Sequence, residues 1–267
     1  MKQLKSVNNI KHQQMMKKLS ITALSLFFLL LVSCNSPQWM VSEAIGTKIA
    51  LDSKAEPLAD TGFKEMLQPF KQQLDVQMNE VIGHAETDMR AHKPESLLSN
   101  WSADVYRVAA SEYLGQQVDV AIVNLGGLRT HITAGPIRVR KVYELMPFEN
   151  ELVILWLSGE DIEELLHYFA RIGGQGVGGI RMVIKEDKAT AVEIAGEPLD
   201  RNRVYTVATN DYLAEGNDYM PQLTRHSKRI NTRILVRDMF MNYILKENEA
   251  GRTINAALEG RIIHHEE

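Results

Sequence analysis

VYTVATNDYLAEGNDYM, residues 204–220, changes character halfway along. Its first part is β-branched and apolar, and Tyr205 to Ala208 read as a strand. From Asn210 onward it is a polar loop of Asn, Asp and Gly, residues that favour turns because short polar side chains bond the nearby backbone and glycine accepts positive φ. Turn chemistry accounts for the two Asn-Asp pairs and for Gly216. It leaves Tyr212 and Tyr219 unexplained, because a polar loop has no packing need for two aromatic rings. Aromatic and carboxylate side chains on a loop at a strand end sit where sheets flanked by helices usually take their ligands.

The same grammar occurs twice more. VDVAIV, residues 118–123, is a short apolar run rich in β-branched residues and reads as a buried strand. NLGGLR, residues 124–129, follows at once. Its glycines let the backbone approach a ligand, and Arg129 can make a two-pronged contact with phosphate or carboxylate. PFEN, residues 147–150, puts Phe148 and Asn150 just before a third strand, ELVILWL. Taken singly, these motifs fit a tight turn with a solvated arginine, or a core phenylalanine behind a turn. Taken together they place an arginine, two aromatics and several amide or carboxyl groups at strand ends. Two rings can sandwich a planar base, Asn can read its edge, Asp can accept from sugar hydroxyls, and Arg can meet an anion. Stacking of this kind contributes on the order of 1–3 kcal/mol per base.

The rest of the chain supplies elements to carry these loops. Phe63, Met66, Leu67, Phe70, Leu74, Met78, Val81 and Ile82 fall at three- and four-residue intervals, which predicts one long helix with an apolar stripe. A second helix is expected from Ser96 or Ser99 to Leu114, with Trp101, Val105, Val108 and Ala109 inward. Ser158, with Asp161 three residues on, opens a helix that turns Ile162, Leu165, Leu166, Phe169 and Ile172 inward. IGGQGVGGIRMVI reads as a glycine-rich turn into a strand, and Glu193–Ile194 as a further strand. Asn231 or Thr232 is expected to cap a last helix, Arg233 to Leu245, before a short strand near residues 261–263. Helices and strands alternate without a regular repeat, so the expected class is α+β, with layered mixed sheets flanked by helices.

Composition narrows the function classes. The chain has 267 residues, of which 45% are hydrophobic and 24% charged, an ordinary globular mix. A formal charge of −4 and the lack of an uninterrupted basic stripe argue against nucleic acid as a partner. At the N-terminus, Met15-Met16-Lys17-Lys18 precede LSITALSLFFLLLVSC, a charged segment and then an apolar run too short for a comfortable transmembrane helix. LVSC resembles a bacterial lipobox, which implies cleavage before Cys34 and lipidation of its sulfur; a plain signal peptide or a buried thiol is the alternative. Cys34 is the sole cysteine, so no internal disulfide can form. The expected organisation is a lipobox signal peptide over residues 1–34 (with Met15 or Met16 the more natural start), a tether over 35–60 with one short strand at 47–51, and a domain over 61–267. Acyl chains would hold the mature protein on a bacterial membrane, facing an extracytoplasmic space.

Catalytic motifs are missing. None of the eight histidines sits in an HxH, DxH or HExxH arrangement, and no N-H-D or N-H-E triplet occurs. A metallohydrolase needs several His and Asp ligands converging on its ions. No GxSxG elbow is present, and GGQGVGGIR lacks the Lys-Ser/Thr of a P-loop. By its own residues the chain reads as a binding domain, with no catalytic residue, metal ligand or cofactor assigned.

Three of these segments in this order, NLGGLRTHITAGPI, LMPFENELVILWLSGEDI and ATNDYLAEGNDYM, resemble the C-terminal substrate-binding domain of the bacterial 5′-nucleotidase/UDP-sugar hydrolase family. The likeness runs over residues 63–263. NEVIGHAETD is similar to the family's interdomain region, and ESLLSNWSADVYR resembles its Glu-Thr-Asn-Leu-Gly-Asn-Leu helix start. The resemblance implies that Phe148 and Tyr212 clamp a base, that Asn150 faces its edge, that Asp218 faces ribose or base, and that Arg129 faces phosphate. It also points to Gly173, with Gly174, as lining of the base pocket.

The sequence departs from the family in three places. The calcineurin-like metallophosphatase domain with its two metal ions has no counterpart in these residues. The arginines expected just before the Glu-Thr-Asn-Leu helix are replaced by DMRAHKPES, with Arg90 and His92 in rough register, and the usual Gly-Gly-Asp-Gly-Tyr reads GNDYM. The leading expectation is the nucleotide-binding part of a split 5′-nucleotidase, with divalent metals only in a separate metallophosphatase partner. The alternatives are a stand-alone nucleoside or nucleotide binder, and a structural module with a degraded pocket.

Overall fold

The computed structural model describes Met16 and residues 40–43, 45–48 and 60–265. The lipobox at Cys34 and most of the strand expected at 47–51 lie outside the described residues; Thr47 and Lys48 are exposed and irregular. The chain divides into two compact units, Met1–Ala59 and Asp60–Glu267. In the first, residues 40–43 and 45–48 are exposed without regular structure. All named elements belong to the second.

That unit is built on a five-stranded mixed sheet. Its strands are β2 (Val120–Val123), β4 (Glu151–Ser158), β5 (Gly176–Gly178), β9 (Val204–Asn210) and β10 (Lys228–Leu235). They lie in the order β10-β4-β9-β2-β5. β9 runs parallel to β2, whereas β4 is antiparallel to β9 and to β10, and β5 is antiparallel to β2. Side chains alternate across a strand, and here both faces are covered. Ala121, Val123, Leu152 and Ile154 enter one core, with Trp101, Tyr106 and Phe240. Val120, Ile122, Val153 and Leu155 enter the other, with Phe169, Leu165 and Tyr205. A strand buried on both faces reads as a continuous apolar run rather than as alternation, which is why VAIV and ELVILWL are legible as strands.

Helix α2 (Leu97–Leu114) and helix α6 (Val236–Glu249) cover the first face, where Trp101 stacks on Phe240 at 5.0 Å between ring centroids. Ser96 caps α2 in a reciprocal box with Ser99. Helix α4 (Gly159–Arg171) covers the second face. The Ser158 hydroxyl accepts from Asp161 N, and Glu160 and Asp161 sit favourably in its positive first turn. Gly159 allows the close approach at this end, since a Cβ there would lie 2.0 Å from the Asp200 carbonyl oxygen. A four-stranded sheet packs beyond α4, made of β6 (Ile180–Lys185), β7 (Lys188–Ile194), β8 (Glu197–Pro198) and β11 (Ile262–His264) in the order β11-β6-β7-β8. β1 (Val81–Ala85) and β3 (Gly135–Arg138) form a two-stranded antiparallel sheet, and the short helix α3 (Val139–Leu145) follows β3 directly. The α+β class of layered mixed sheets flanked by helices is the class observed.

Three local expectations are corrected. The first helix, α1 (Thr61–Met78), stops before Val81 and Ile82, which pair with β3 in β1. Its stripe does not face a core: Phe63, Met66, Leu67, Phe70 and Leu74 are all exposed. In α2, Val108 also points outward. The last helix begins at Val236, because residues 228–235 are drawn into β10 against β4. Thr232, read as a cap, instead donates its hydroxyl to the Leu152 carbonyl across that ladder. A register shift between Asn231 and Leu235 carries Arg233 at φ 62°.

Burial separates the aromatic side chains into two kinds. Phe169→Ala should lower the unfolding free energy by about 3–5 kcal/mol, the usual loss for a fully buried phenylalanine. Phe70→Ala, on a side chain 69% exposed, should change it by less than about 0.5 kcal/mol. Urea unfolding followed by circular dichroism measures both, and a large loss at Phe70 would show that α1 is braced by the unit after all.

Candidate functional site

Topology brings the three polar loops to one edge of the central sheet. β2 and β9 are parallel neighbours, so their C-terminal ends lie together. β4 is antiparallel to β9, with Leu152 opposite Asn210, so the start of β4 falls at the same edge. The turn after β2 (residues 124–129), the approach to β4 (146–150) and the loop after β9 (210–220) therefore converge. Between them lies a cleft of about 650 Å³, within the size range of small-molecule sites.

Five of the six binding residues expected from the sequence line this cleft: Arg129, Phe148, Asn150, Tyr212 and Asp218. Gly173, the sixth, is not among the lining residues. It ends α4 at φ 80°, where its neighbour Gly174 meets Pro94 too closely for a Cβ. Arg90 and His92 do not line the cleft either. The motif reading passed over Asn124, Gly126, Gly127, Met146 and Glu149 as individual residues, and the structure adds them. Asn124 had one signal, an amide at the end of a fully buried strand, where a polar side chain needs a partner.

The two rings are Phe148, 43% exposed, and Tyr212, 41% exposed. Neither is used by a core. Phe148 stands on the loop before β4 with the Arg129 guanidinium 5.9 Å from its ring centroid, at the outer limit of a cation–π contact. Arg129 also donates to the Gly126 carbonyl at 3.1 Å, so its fork is aimed along the turn. Tyr212 lies in the short helix α5 (Asp211–Ala214), capped by Asn210, whose side-chain oxygen accepts from Leu213 N at 2.8 Å. The Asn150 amide donates to Asp211 Oδ1 at 2.8 Å and so joins the β4 loop to α5.

Asp218 is the most heavily tied group. Its Oδ2 accepts from Asn124 Nδ2 at 2.6 Å and its Oδ1 from the Tyr212 hydroxyl at 2.9 Å. Its carbonyl accepts from the Tyr168 hydroxyl, on α4, at 3.0 Å. Asp218 and Tyr219 both hold positive φ, 54° and 60°, which non-glycine residues adopt at a cost that these ties must offset. The bond to the Asp218 carboxylate, and then its charge, raise the Tyr212 phenol above its ordinary pKa. That phenol remains a donor at neutral pH.

The cleft thus offers two ring faces, amides, carboxylates and a guanidinium, which are groups for recognition. Among the described residues, no cluster of three or more His, Cys, Asp or Glu side chains is placed to hold a metal ion. Among those residues, too, no helix is long and apolar enough to cross a membrane.

Comparison with known proteins gives the same reading of the fold. The family model "5′-nucleotidase, C-terminal domain" matches residues 81–225, more than half of the chain. The chain belongs to that family. Protein UshA of Yersinia enterocolitica is 29% identical over 220 residues, covering 78% of this chain and 38% of the relative. A 5′-nucleotidase of Vibrio vulnificus is 25% identical, covering 75% of this chain and 38% of the relative. The solved 5′-nucleotidase precursor of Thermus thermophilus superposes with a TM-score of 0.67 at 30% identity, over 76% of this chain and 43% of that one. The chain therefore spans about two fifths of the length of these relatives.

The Tyr168 bond to the Asp218 carbonyl can be tested alone. Tyr168→Phe keeps the ring and should cost about 0.5–1.5 kcal/mol of stability, the usual net value of one hydrogen bond. Amide exchange should accelerate in residues 216–220 while β2 and β9 stay protected. Unchanged exchange in that segment would show that the loop holds its positive-φ conformation without this tie.

Proposed function

We propose that the domain binds nucleosides and nucleotides in this cleft, as the recognition part of a nucleotide phosphohydrolase. The carrying observation is the pair of half-exposed rings, Phe148 and Tyr212, in one cleft with Asn150, Asp218 and Arg129. In this reading the base stacks between the rings and Asn150 meets its edge. Asp218 accepts from the sugar hydroxyls, and Arg129 pairs with phosphate. Membership of the 5′-nucleotidase C-terminal family and the names of the relatives support a phosphate ester of a nucleoside as the substrate class. The hydrolytic step, with its divalent metals, is assigned to a metallophosphatase polypeptide outside these residues.

The place of action is proposed to be extracytoplasmic, with Cys34 as the lipid anchor. The lipobox-like LVSC supports this. So does a relative from Listeria monocytogenes, 29% identical over 227 residues, that is named a cell wall protein.

Calorimetric titration with adenosine, AMP and UDP-glucose, followed by a phosphate-release assay with added divalent metal, tests the reading. Binding without turnover by the pure chain is the expected result. Absence of binding to all three would refute it, and metal-dependent turnover would place an active site within this chain. Phe148→Ala and Tyr212→Ala should each weaken adenosine by roughly 1–3 kcal/mol, and wild-type affinity in both would dismiss the clamp. Arg129→Ala should weaken AMP more than adenosine, and equal losses would remove Arg129 from the phosphate.

A further inference from the structure

Helix α1 stands apart from the other long helices of the domain. α2 and α6 each bury a face in the first core, and α4 buries one in the second. α1 buries none of its residues. Yet its pattern is that of a packing helix: Phe63, Met66, Leu67, Phe70 and Leu74 fall on one side at three- and four-residue spacing, and all of them are exposed. An 18-residue helix with a proline inside it, Pro69, has little helicity of its own. Most helical stability in proteins comes from packing an amphipathic face. The stripe therefore calls for a covering surface that the domain itself does not provide.

The charges of α1 say what kind of surface suits it. Its acids are withdrawn from the stripe. Asp60 caps the helix and accepts from Phe63 N at 2.8 Å. Glu65 stands two residues after Phe63, about 200° round the helix, on the face away from the stripe. Asp75 is paired with Arg140 of α3. The cations Lys64 and Lys71 stand seven residues apart on one flank of the stripe. From such a flank a long alkyl stem can lie along an apolar surface while its ammonium reaches the polar layer above. Large apolar side chains with flanking lysines, and with acids turned away or neutralised, match the headgroup–acyl boundary of a bilayer. The chain also delivers α1 to that surface. Only 25 residues separate Cys34, at the end of the apolar N-terminal run, from Asp60, and a stretch of that length spans at most about 90 Å. Among the described residues no helix is long and apolar enough to cross a membrane, so α1 fits along the surface and not through it.

We propose that α1 is an interfacial helix, laid along the bilayer that carries the Cys34 anchor, with Phe63, Met66, Leu67, Phe70 and Leu74 in the headgroup–acyl boundary. This inference rests on the lipid-anchor reading of Cys34 and adds a second membrane contact to it. A lipid chain alone keeps the protein near the bilayer and leaves its orientation open. α1 removes that freedom, because its C-terminal end is fastened to the domain: Arg138 of β3 donates to the Asn79 carbonyl, and Arg140 of α3 holds Asp75. A helix bound in the membrane plane therefore sets the attitude of the whole domain to the surface. Two modest membrane contacts on one chain reinforce each other, since the first holds the second at high effective concentration.

The test uses the full chain, lipidated on Cys34 and reconstituted in vesicles of phosphatidylethanolamine and phosphatidylglycerol. Cys34 is the sole cysteine and its sulfur is acylated in this form, so one introduced cysteine takes a nitroxide label selectively. Phe70→Cys places the label on the stripe. Gln72→Cys, about 200° round the helix, places it on the opposite face. The label at position 70 should be relaxed by oxygen, which partitions into lipid, and shielded several-fold from a water-soluble nickel chelate. The label at position 72 should show the reverse. Leu67→Cys should repeat the result for position 70 with Phe70 in place. Equal exposure of positions 70 and 72 to nickel in the lipidated chain would overturn the inference. Shielding at position 70 that disappears as the protein is diluted in lipid, with spin–spin broadening between labels, would assign the stripe to a second copy and overturn it too. Absence of lipid on Cys34 by mass spectrometry would overturn the anchor reading itself, and this inference with it.

Discussion

The packing of the central sheet on both of its faces is the constraint on which the rest depends. β2, β9 and β4 give alternate side chains to two separate cores. Their backbone groups are committed to the ladder between them. Such strands can carry polar chemistry only where the ladder ends, because an unpaired polar group inside either core would cost more than it could return. The mixed strand directions then do the selecting: one parallel and one antiparallel neighbour put two C-terminal ends and one N-terminal start on the same edge. A purely parallel trio would have carried the Phe148 loop to the opposite edge.

Support for the cleft comes from neighbouring elements rather than from the loops' own composition. The β4 loop is tied to α5 through Asn150 and Asp211. The loop after β9 is tied to the β2 turn through Asn124 and to α4 through Tyr168. These bonds hold two consecutive non-glycine residues, Asp218 and Tyr219, at positive φ. Strain of this kind persists only where surrounding contacts over-determine it, and it concentrates at sites that need a fixed shape. The rings of Phe148 and Tyr212 stay half in solvent and belong to neither core.

The parts of this fold legible in the sequence were those set by local pattern. VAIV and ELVILWL could be read because strands buried on both faces are continuous apolar runs. Ser158 could be read because a cap and its acidic first turn lie within a few residues. The errors have one physical source, which is pairing at long range. Thr232 has the chemistry of a helix cap, but Leu152, far away in sequence, claims its hydroxyl. Val81 and Ile82 continue the spacing of α1, yet β3 takes them as a strand partner. The stripe on α1 is a true helical period, and period alone does not say whether a face meets a core; here none of its residues is buried. The gathering of Arg129, Phe148, Asn150, Tyr212 and Asp218 in one cleft was legible because each sits near a junction of strand and loop. Asn124 was hidden because its partner is 94 residues away. Gly173 does not line the cleft: glycine-rich turns serve helix ends as readily as ligand pockets, and this one ends α4.

Tyr212 shows why the cleft has to be built as one piece. Its ring is one of the two exposed faces, and its hydroxyl is fixed to the Asp218 carboxylate. Under the proposed reading, the ring meets the base and the carboxylate meets the sugar. The separation between base recognition and sugar recognition is then set by the length of a phenol, a rigid covalent body, and not by the reach of a loop. Asn124 fixes the far side of the same carboxylate from the end of a buried strand. The measuring distance within the site is thereby referred back to the sheet. A ligand whose base and sugar match that distance loses little to ordering the protein on binding, which is how a small cleft on loops acquires selectivity from the scaffold beneath it.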